Sequence, residues 1–78
     1  MQTRRMNEPW TAHVVGRMHR YCITRQELAK ACNYTPSYIS EVLHGNKRFR
    51  SKESYELTKN RIVGTLEGMI QELEESNG

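Results

Sequence analysis

The segment from Thr24 to Gly45 constrains the fold most, because it carries two sets of helix start and stop signals. Thr24 can cap a helix while the side chain of Glu27 reaches back to it, the pattern of a capping box. Thr35 followed by Pro36 predicts the start of a second helix, which Gly45 can end. The short turn between the two helices predicts a sharp angle, so the segment predicts a helix-turn-helix.

Apolar residues at helical spacing predict a further helix before this segment and a small core around it. The pattern predicts a helix from about residue 8 to residue 21, with Asn7 as its cap. The apolar stripe of this helix is Trp10, Val14, Met18 and Tyr21, widened by Val15 and Cys22. The inward-facing residues of the two motif helices are Leu28, Ala29, Cys32, Ile39, Val42 and Leu43. Asn33 suits the left-handed conformation that ends the first motif helix.

The chain has two cysteines, Cys22 and Cys32, and no neighbouring cysteine pair. Their spacing matches neither a structural zinc site nor a disulfide framework. We expect both to be small apolar core residues, since free cysteine prefers burial. The alternative is a zinc site that combines these thiols with His13, His19 or His44, and the spacing disfavours it.

A C-terminal helix is predicted from its cap at Ser51 almost to Glu75. Gly64 and Gly68 each weaken a helix by about 1 kcal/mol relative to alanine, so the helix is either continuous or bent near residues 59–64. Its apolar stripe is Tyr55, Ile62, Val63, Leu66, Met69, Ile70 and Leu73, with Lys59 at one apolar position. The residues predicted for dimerisation are Ile62, Leu66, Met69, Ile70 and Leu73. Packing of this stripe within the chain is the alternative.

Charge is distributed unevenly along the chain. Residues 1–50 hold nine Lys and Arg against three Glu, a formal charge of +6, whereas residues 51–78 hold three against six, a charge of −3. An anionic partner is therefore expected at the basic part. Residues 1–7 predict a flexible basic arm, which is either a frayed terminus or a segment whose Arg4 and Arg5 contact the backbone or minor groove of DNA.

The second motif helix is predicted to leave a polar face open. At about 100° per residue, Ser37, Glu41 and His44 lie opposite the core residues Ile39, Val42 and Leu43, with Ser40 and Tyr38 on the flanks. This face has no apolar patch for a protein partner, although a solvated face of an ordinary helix has the same composition. The loop after it contains Asn46, Lys47, Arg48 and Arg50, with Phe49 as its expected anchor to the core. The three cations either clamp phosphates or are simply solvated.

Three stretches of the chain resemble the Cro/C1-type (XRE-family) helix-turn-helix, as found in small regulators of phages and mobile elements. They are Thr24-Arg-Gln-Glu-Leu-Ala29, Asn33-Tyr-Thr-Pro-Ser-Tyr-Ile-Ser40 and Leu43-His-Gly-Asn-Lys-Arg48. The similarity extends over roughly residues 12–70. Asn33 stands where many relatives have glycine, and Arg25 stands where many have glutamine.

The resemblance implies an all-α, lambda-repressor-like domain of four or five helices, with a helix-turn-helix and a long C-terminal helix. It implies that helix 36–44 enters the major groove of double-stranded DNA, often as part of a homodimer on a pseudo-palindromic site. Base reading is implied for Thr35, Pro36, Ser37, Ser40, Glu41 and His44. Phosphate contact is implied for Arg25, Asn46, Lys47 and Arg48, and we predict it also for Gln26, Tyr38 and Arg50. Glu41 either specifies cytosine through the N4 amino group or is neutralised by a cation such as Arg48.

The function expected from the residues and the resemblance is sequence-specific, DNA-binding regulation of transcription, repressor-like, in the bacterial cytoplasm. The expected domain spans residues 8–75, with the motif at 24–45 and a tail at 76–78. The alternative is a helix-turn-helix protein-interaction module, such as an antirepressor or antitoxin-like partner, which the apolar C-terminal stripe with its acidic end favours.

No enzyme is expected, because the chain has no Asp for Ser-His-Asp chemistry and no Gly-rich phosphate loop. We expect no cofactor, metal or small-molecule substrate. The sequence shows neither a secretory signal nor an apolar run long enough to span a membrane.

Overall fold

The computed structural model of the chain describes residues 9–77 and shows four α-helices around one apolar core. The helices are α1 (Pro9–Arg20), α2 (Arg25–Cys32), α3 (Pro36–Leu43) and α4 (Lys52–Asn77). The prediction of an all-α fold is confirmed. α4 is one continuous helix of 26 residues, which confirms the continuous alternative, and it extends into the predicted tail. The predicted arm at residues 1–7, with its Asn7 cap, lies outside the described residues.

Hydrogen bonds confirm the predicted N-terminal caps of α3 and α4. The Thr35 hydroxyl accepts a hydrogen bond from the backbone N–H of Tyr38 at 3.1 Å, with Pro36 as the first residue of α3. Ser51 accepts from the backbone N–H of Ser54 at 3.1 Å, so it caps α4 as predicted. Each hydroxyl satisfies a donor that has no partner inside its helix.

Residues in the left-handed conformation end the first three helices. They are Cys22 (φ 58°), Asn33 (φ 68°) and Gly45 (φ 76°), and Asn33 and Gly45 confirm the predicted stops. The residue after each of them donates its N–H to a carbonyl five residues earlier: Ile23 to Met18, Tyr34 to Ala29 and Asn46 to Glu41, each at 2.8 Å. These are Schellman-type ends, which reverse the chain within a few residues.

The core is built from all four helices and the link after α1. Its buried apolar residues are Val14, Met18, Ile23, Leu28, Ala29, Cys32, Ile39, Val42, Leu43, Ile62, Leu66 and Ile70. Ala29 is 1% exposed and belongs to this core, as predicted for an inward-facing residue of α2. Phe49 packs half-buried against the core, as predicted for the anchor of the loop after α3.

The position of α4 corrects part of the predicted dimer surface. Ile62, Leu66 and Ile70 are at most 2% exposed, because α1 and α2 pack across this face of α4. These three side chains stabilise the core and are not available to a second copy. Of the other two predicted residues, Met69 is half-buried and Leu73 is 39% exposed.

Two further predictions about core residues are wrong. Cys22 is exposed, because its left-handed backbone places it at the outside of the turn after α1. Val15 is 41% exposed, because it lies at the edge of the α1 stripe that Val14 and Met18 bury. The prediction for the other cysteine is confirmed: Cys32 is buried, and burial raises the pKa of its thiol.

Candidate nucleic-acid interface

The start of α2 presents two of the predicted phosphate-contacting residues. The backbone N–H of Glu27 donates to the Thr24 hydroxyl at 3.1 Å, and the Glu27 carboxylate accepts from the Thr24 N–H at 2.8 Å. This reciprocal pair confirms the predicted capping box. It holds the first turn of α2 in place, and Arg25 and Gln26 extend from that turn into solvent.

α3 exposes a polar face opposite the core, as its periodicity predicts. Ile39, Val42 and Leu43 are buried. The exposed residues of the helix and its end are Pro36, Ser37, Glu41 and His44, preceded by the exposed cap residue Thr35, while Ser40 is half-buried. The candidate base-reading residues thus lie together on one short surface.

His44 is held in one orientation at the end of this surface. Its ring Nδ1 lies 2.9 Å from the backbone oxygen of Ser40. Since a carbonyl can only accept, Nδ1 is the donor, and Nε2 is the ring nitrogen left to meet a ligand. The same Ser40 oxygen also accepts the backbone N–H of His44 at 3.0 Å.

The turn at Gly45 places the basic loop beside α3. The N–H groups of Asn46 and Lys47 both donate to the backbone oxygen of Glu41, at 2.8 and 3.1 Å. Glycine suits this position, because a positive φ angle costs little conformational energy in a residue without a side chain. The start of the loop is therefore held against the last turn of α3.

An aromatic cluster anchors the far end of the loop. The Phe49 ring meets the Tyr55 ring edge-on, with centroids 5.5 Å apart, and Tyr55 accepts a hydrogen bond from Trp10 Nε1 at 2.7 Å. These contacts tie the loop to the starts of α1 and α4. On either side of Phe49, Arg48 and Arg50 are exposed.

Cations lie on both sides of the polar face of α3. On one side, Arg25 lines a shallow groove together with Leu43 and His44. On the other side, the Lys47 ammonium lies over the Tyr38 ring, 5.2 Å from its centroid. Leu43 and Tyr38 are about 140° apart around the helix at about 100° per residue, so the two cations flank the polar face rather than share one edge.

Two predicted site residues have surroundings that the pattern did not indicate. Tyr38 was expected to contact phosphate, but its hydroxyl lies 3.2 Å from Thr58 Oγ1 on α4, and the side chain is half-buried. Glu41 is exposed, and within residues 9–77 the structure forms no ion pair between it and Arg48. The Glu41 carboxylate is therefore available to a ligand.

Two residues near the site were not singled out from the sequence, namely Tyr34 and Arg61. The Tyr34 ring packs against the Tyr38 ring at a centroid distance of 4.7 Å and an angle of 49° between the ring planes, and the Arg61 guanidinium lies 5.6 Å from the Tyr34 centroid. Arg61 also donates to the backbone oxygen of Cys32 at 3.4 Å. The spacing of Tyr34 and Tyr38 suggests a pair of rings. The cations that lie against these rings, Arg61 and Lys47, come from α4 and from the loop after α3.

No group of three or more His, Cys, Asp or Glu side chains within residues 9–77 could hold a metal ion. None of the four described helices is long and apolar enough to cross a membrane.

Comparison with known proteins yields no match. Models of protein families, curated proteins and solved structures all lack a match to the chain. The assignment of function consequently depends on the geometry of the α3 surface and on the residue pattern around it.

Proposed function

We propose that this protein is a sequence-specific regulator of transcription, repressor-like, that inserts α3 into the major groove of double-stranded DNA. The observation that carries the proposal is a short polar helix face with cations on both sides. The face consists of hydrogen-bonding side chains such as Ser37 and Glu41, with Arg25 on one side and Lys47 on the other.

The dimensions of α3 suit this role. A helix with its side chains is about 10–12 Å across, and the major groove of B-form DNA is about 12 Å wide. Phosphates line both edges of that groove, so cations on either side of an inserted helix can contact both strands. The arrangement of Arg25 and Lys47 suits such contacts.

The electrostatics of the surface agree with a polyanionic ligand. Residues 24–50 hold five Lys and Arg against two Glu, whereas residues 51–77 hold three against six. Attraction to phosphate gives affinity without sequence preference, and the polar face supplies the preference. In this proposal Glu41 favours cytosine, whose N4 amino group can donate to its carboxylate.

The alternative of a protein-interaction module has less support than the sequence pattern indicated. Its main basis was the apolar stripe of α4, and the structure buries Ile62, Leu66 and Ile70 of that stripe in the core. Near the acidic end of α4, the predicted stripe exposes Leu73, and the neighbouring Met69 is half-buried.

Selection of bound sequences from a random pool of duplexes tests the proposal. We expect enrichment of a defined site, and two-fold symmetry in that site would indicate binding as a homodimer. Affinity for the selected duplex is then measured between about 50 and 200 mM salt, where it should fall steeply because counterions are released. Absence of enrichment, or affinity that does not respond to salt, would contradict the proposal.

Variants separate the two parts of the surface. Ser37→Ala and Glu41→Ala should change which sequences are preferred, whereas Arg48→Ala should weaken binding to all sequences about equally. Arg20→Ala is the matched control, because Arg20 is an exposed cation on α1 whose guanidinium lies over Tyr21, on a different part of the surface. Equal losses from Arg20→Ala and Arg48→Ala would show that net charge alone governs binding.

A further inference from the structure

Tyr38 connects α3 to α4 at the edge of the proposed interface. Its hydroxyl lies 3.2 Å from Thr58 Oγ1, and Thr58 is buried in α4 at 5% exposure. Its ring packs against the Tyr34 ring, with the centroids 4.7 Å apart and the ring planes tilted by 49°. The orientation of the Tyr38 ring is thus fixed at two points by residues outside α3.

The ring in turn fixes Lys47. The Lys47 ammonium lies 5.2 Å from the ring centroid, and the Lys47 backbone N–H donates to the Glu41 carbonyl at 3.1 Å. Both ends of this lysine are therefore held against α3, in keeping with its half-buried state. Arg48 and Arg50 of the same loop are exposed.

The contacts continue across the motif as one row of side chains, which we call the tyrosine row: Arg61, Tyr34, Tyr38 and Lys47. Arg61 begins the row on α4, and it also donates to the carbonyl of Cys32 at the end of α2. The row therefore joins α4, the turn after α2, α3 and the loop. Lys47 is its end that lies beside the polar face.

We propose that Tyr38 is a positioning residue of this interface, which acts on DNA through Lys47 rather than by contacting phosphate itself. The inference rests on the proposed function. Attraction of an ammonium to the face of a ring uses no N–H group in a hydrogen bond, so Lys47 keeps donors for a phosphate oxygen. The Tyr38 ring restricts the Lys47 side chain in the free protein. Lys47 therefore loses less conformational entropy when it binds phosphate, and affinity is higher.

The test compares Tyr38→Phe, Tyr38→Leu, Lys47→Ala and the double variant Tyr38→Leu/Lys47→Ala on one selected duplex. Tyr38→Phe keeps the ring and should bind like the wild type. Tyr38→Leu should weaken binding by about two- to twelvefold, the range that the ordering of one long side chain converts to. Lys47→Ala should weaken binding by at least as much, because the phosphate contact is lost as well. The double variant should lose no more than Lys47→Ala alone, because the ring acts through this lysine.

The salt dependence gives a readout that a loss of fold would not mimic. Lys47→Ala should reduce the slope of log affinity against log salt by about one, and Tyr38→Leu should reduce it as well. In the free protein, the proton resonances next to the Lys47 ammonium should be shifted upfield by the ring and lose that shift in Tyr38→Leu. This second measurement also tests the contact on the wild type if Tyr38→Leu does not fold.

Each failure has its own signature. If the wild type binds no duplex, the proposed function falls and the inference with it. If the wild type binds and Tyr38→Leu binds equally well, or if the losses of the two single variants add in the double variant, only the inference falls. If Tyr38→Phe loses as much as Tyr38→Leu, the hydroxyl contact with Thr58 is what matters and Lys47 is not positioned by the ring.

Discussion

The region of α3 and its loop, residues 36–50, differs from α4 in how it uses its surface. Each region buries three apolar side chains in the same core. They are Ile39, Val42 and Leu43 in α3, and Ile62, Leu66 and Ile70 in α4. Outside the core, α3 and its loop expose short polar side chains and cations. The C-terminal half of α4 exposes four carboxylates, at Glu67, Glu72, Glu74 and Glu75.

Both regions therefore contribute to the core, but under the proposed function only α3 and its loop offer a surface suited to a polyanion. The eight residues of α3 are fixed by a cap, a glycine turn and the Tyr38 contacts, so its outer face is held without being covered. The long α4 covers the back of the motif, and its open side carries the charge that repels a polyanion. Four measurements of stability can break or sharpen this contrast.

The largest effect is expected at the buried face of α4. Leu66→Ala should lower the free energy of unfolding by about 2–5 kcal/mol, because Leu66 is 1% exposed and its removal leaves a cavity. Urea denaturation followed by the fluorescence of Trp10 measures it. Leu57→Ala is the control, since Leu57 is 63% exposed on the same helix and should change stability by no more than about 0.5 kcal/mol. Similar losses from both would mean that α4 does not form the core described.

A smaller effect is expected at the cap of α3. Thr35→Ala should cost about 0.5–2 kcal/mol, because the N–H of Tyr38 loses the hydroxyl that accepts its hydrogen bond. Thr35→Ser keeps that oxygen and should be close to the wild type. The shift in the urea midpoint measures both, and a cost for serine equal to that for alanine would show that the cap bond contributes nothing.

The glycines of the two regions should respond in opposite directions. Gly64→Ala should stabilise the protein by up to about 1 kcal/mol, since a methyl group there meets no atom within 4 Å and alanine favours helix. Gly45→Ala should destabilise it by about 1 kcal/mol, because φ at this position is 76°. Thermal unfolding of the two variants measures the contrast. A loss at Gly64 would indicate that α4 needs a glycine for a contact outside the chain.

The smallest effect is expected for the ion pair of α4. Arg17 and Glu67 lie 3.4 Å apart, with side chains 29% and 62% exposed. Solvent screens such a pair, so a double-mutant cycle should give a coupling of only about 0.2–1 kcal/mol. The coupling should vanish near 1 M salt. A coupling that survives high salt would mean that the acidic end of α4 contributes more to the fold than its exposure indicates.

The helix ends could be predicted from the sequence because each depends on residues within about five positions of one another. The capping box of Thr24 and Glu27, the Thr35 and Pro36 start and the left-handed Asn33 all agree with the structure. The same holds for the polar face of α3, since helical periodicity alone places Ser37 and Glu41 opposite Ile39.

The features that the sequence did not reveal depend on which helices pack against each other in the folded chain. Periodicity places Ile62, Leu66 and Ile70 on one apolar face of α4. It does not indicate whether this face packs against the same chain or against another. Cys22 follows the α1 pattern, yet the chain reverses at that residue and leaves it exposed. A pattern of residues thus predicts a face but not its neighbour.

The sequence by itself determined the helix-turn-helix segment, its helix ends and the polar face that we propose reads DNA. Only the tertiary structure decided that Arg25 and Lys47 lie on opposite sides of that face, and that Tyr38 joins Lys47 to α4. The physical reason is range. Caps and turns form between near neighbours in the chain, whereas the placement of these cations depends on how α1 and α2 pack against α3 and on the long-range contact of Tyr38 with Thr58.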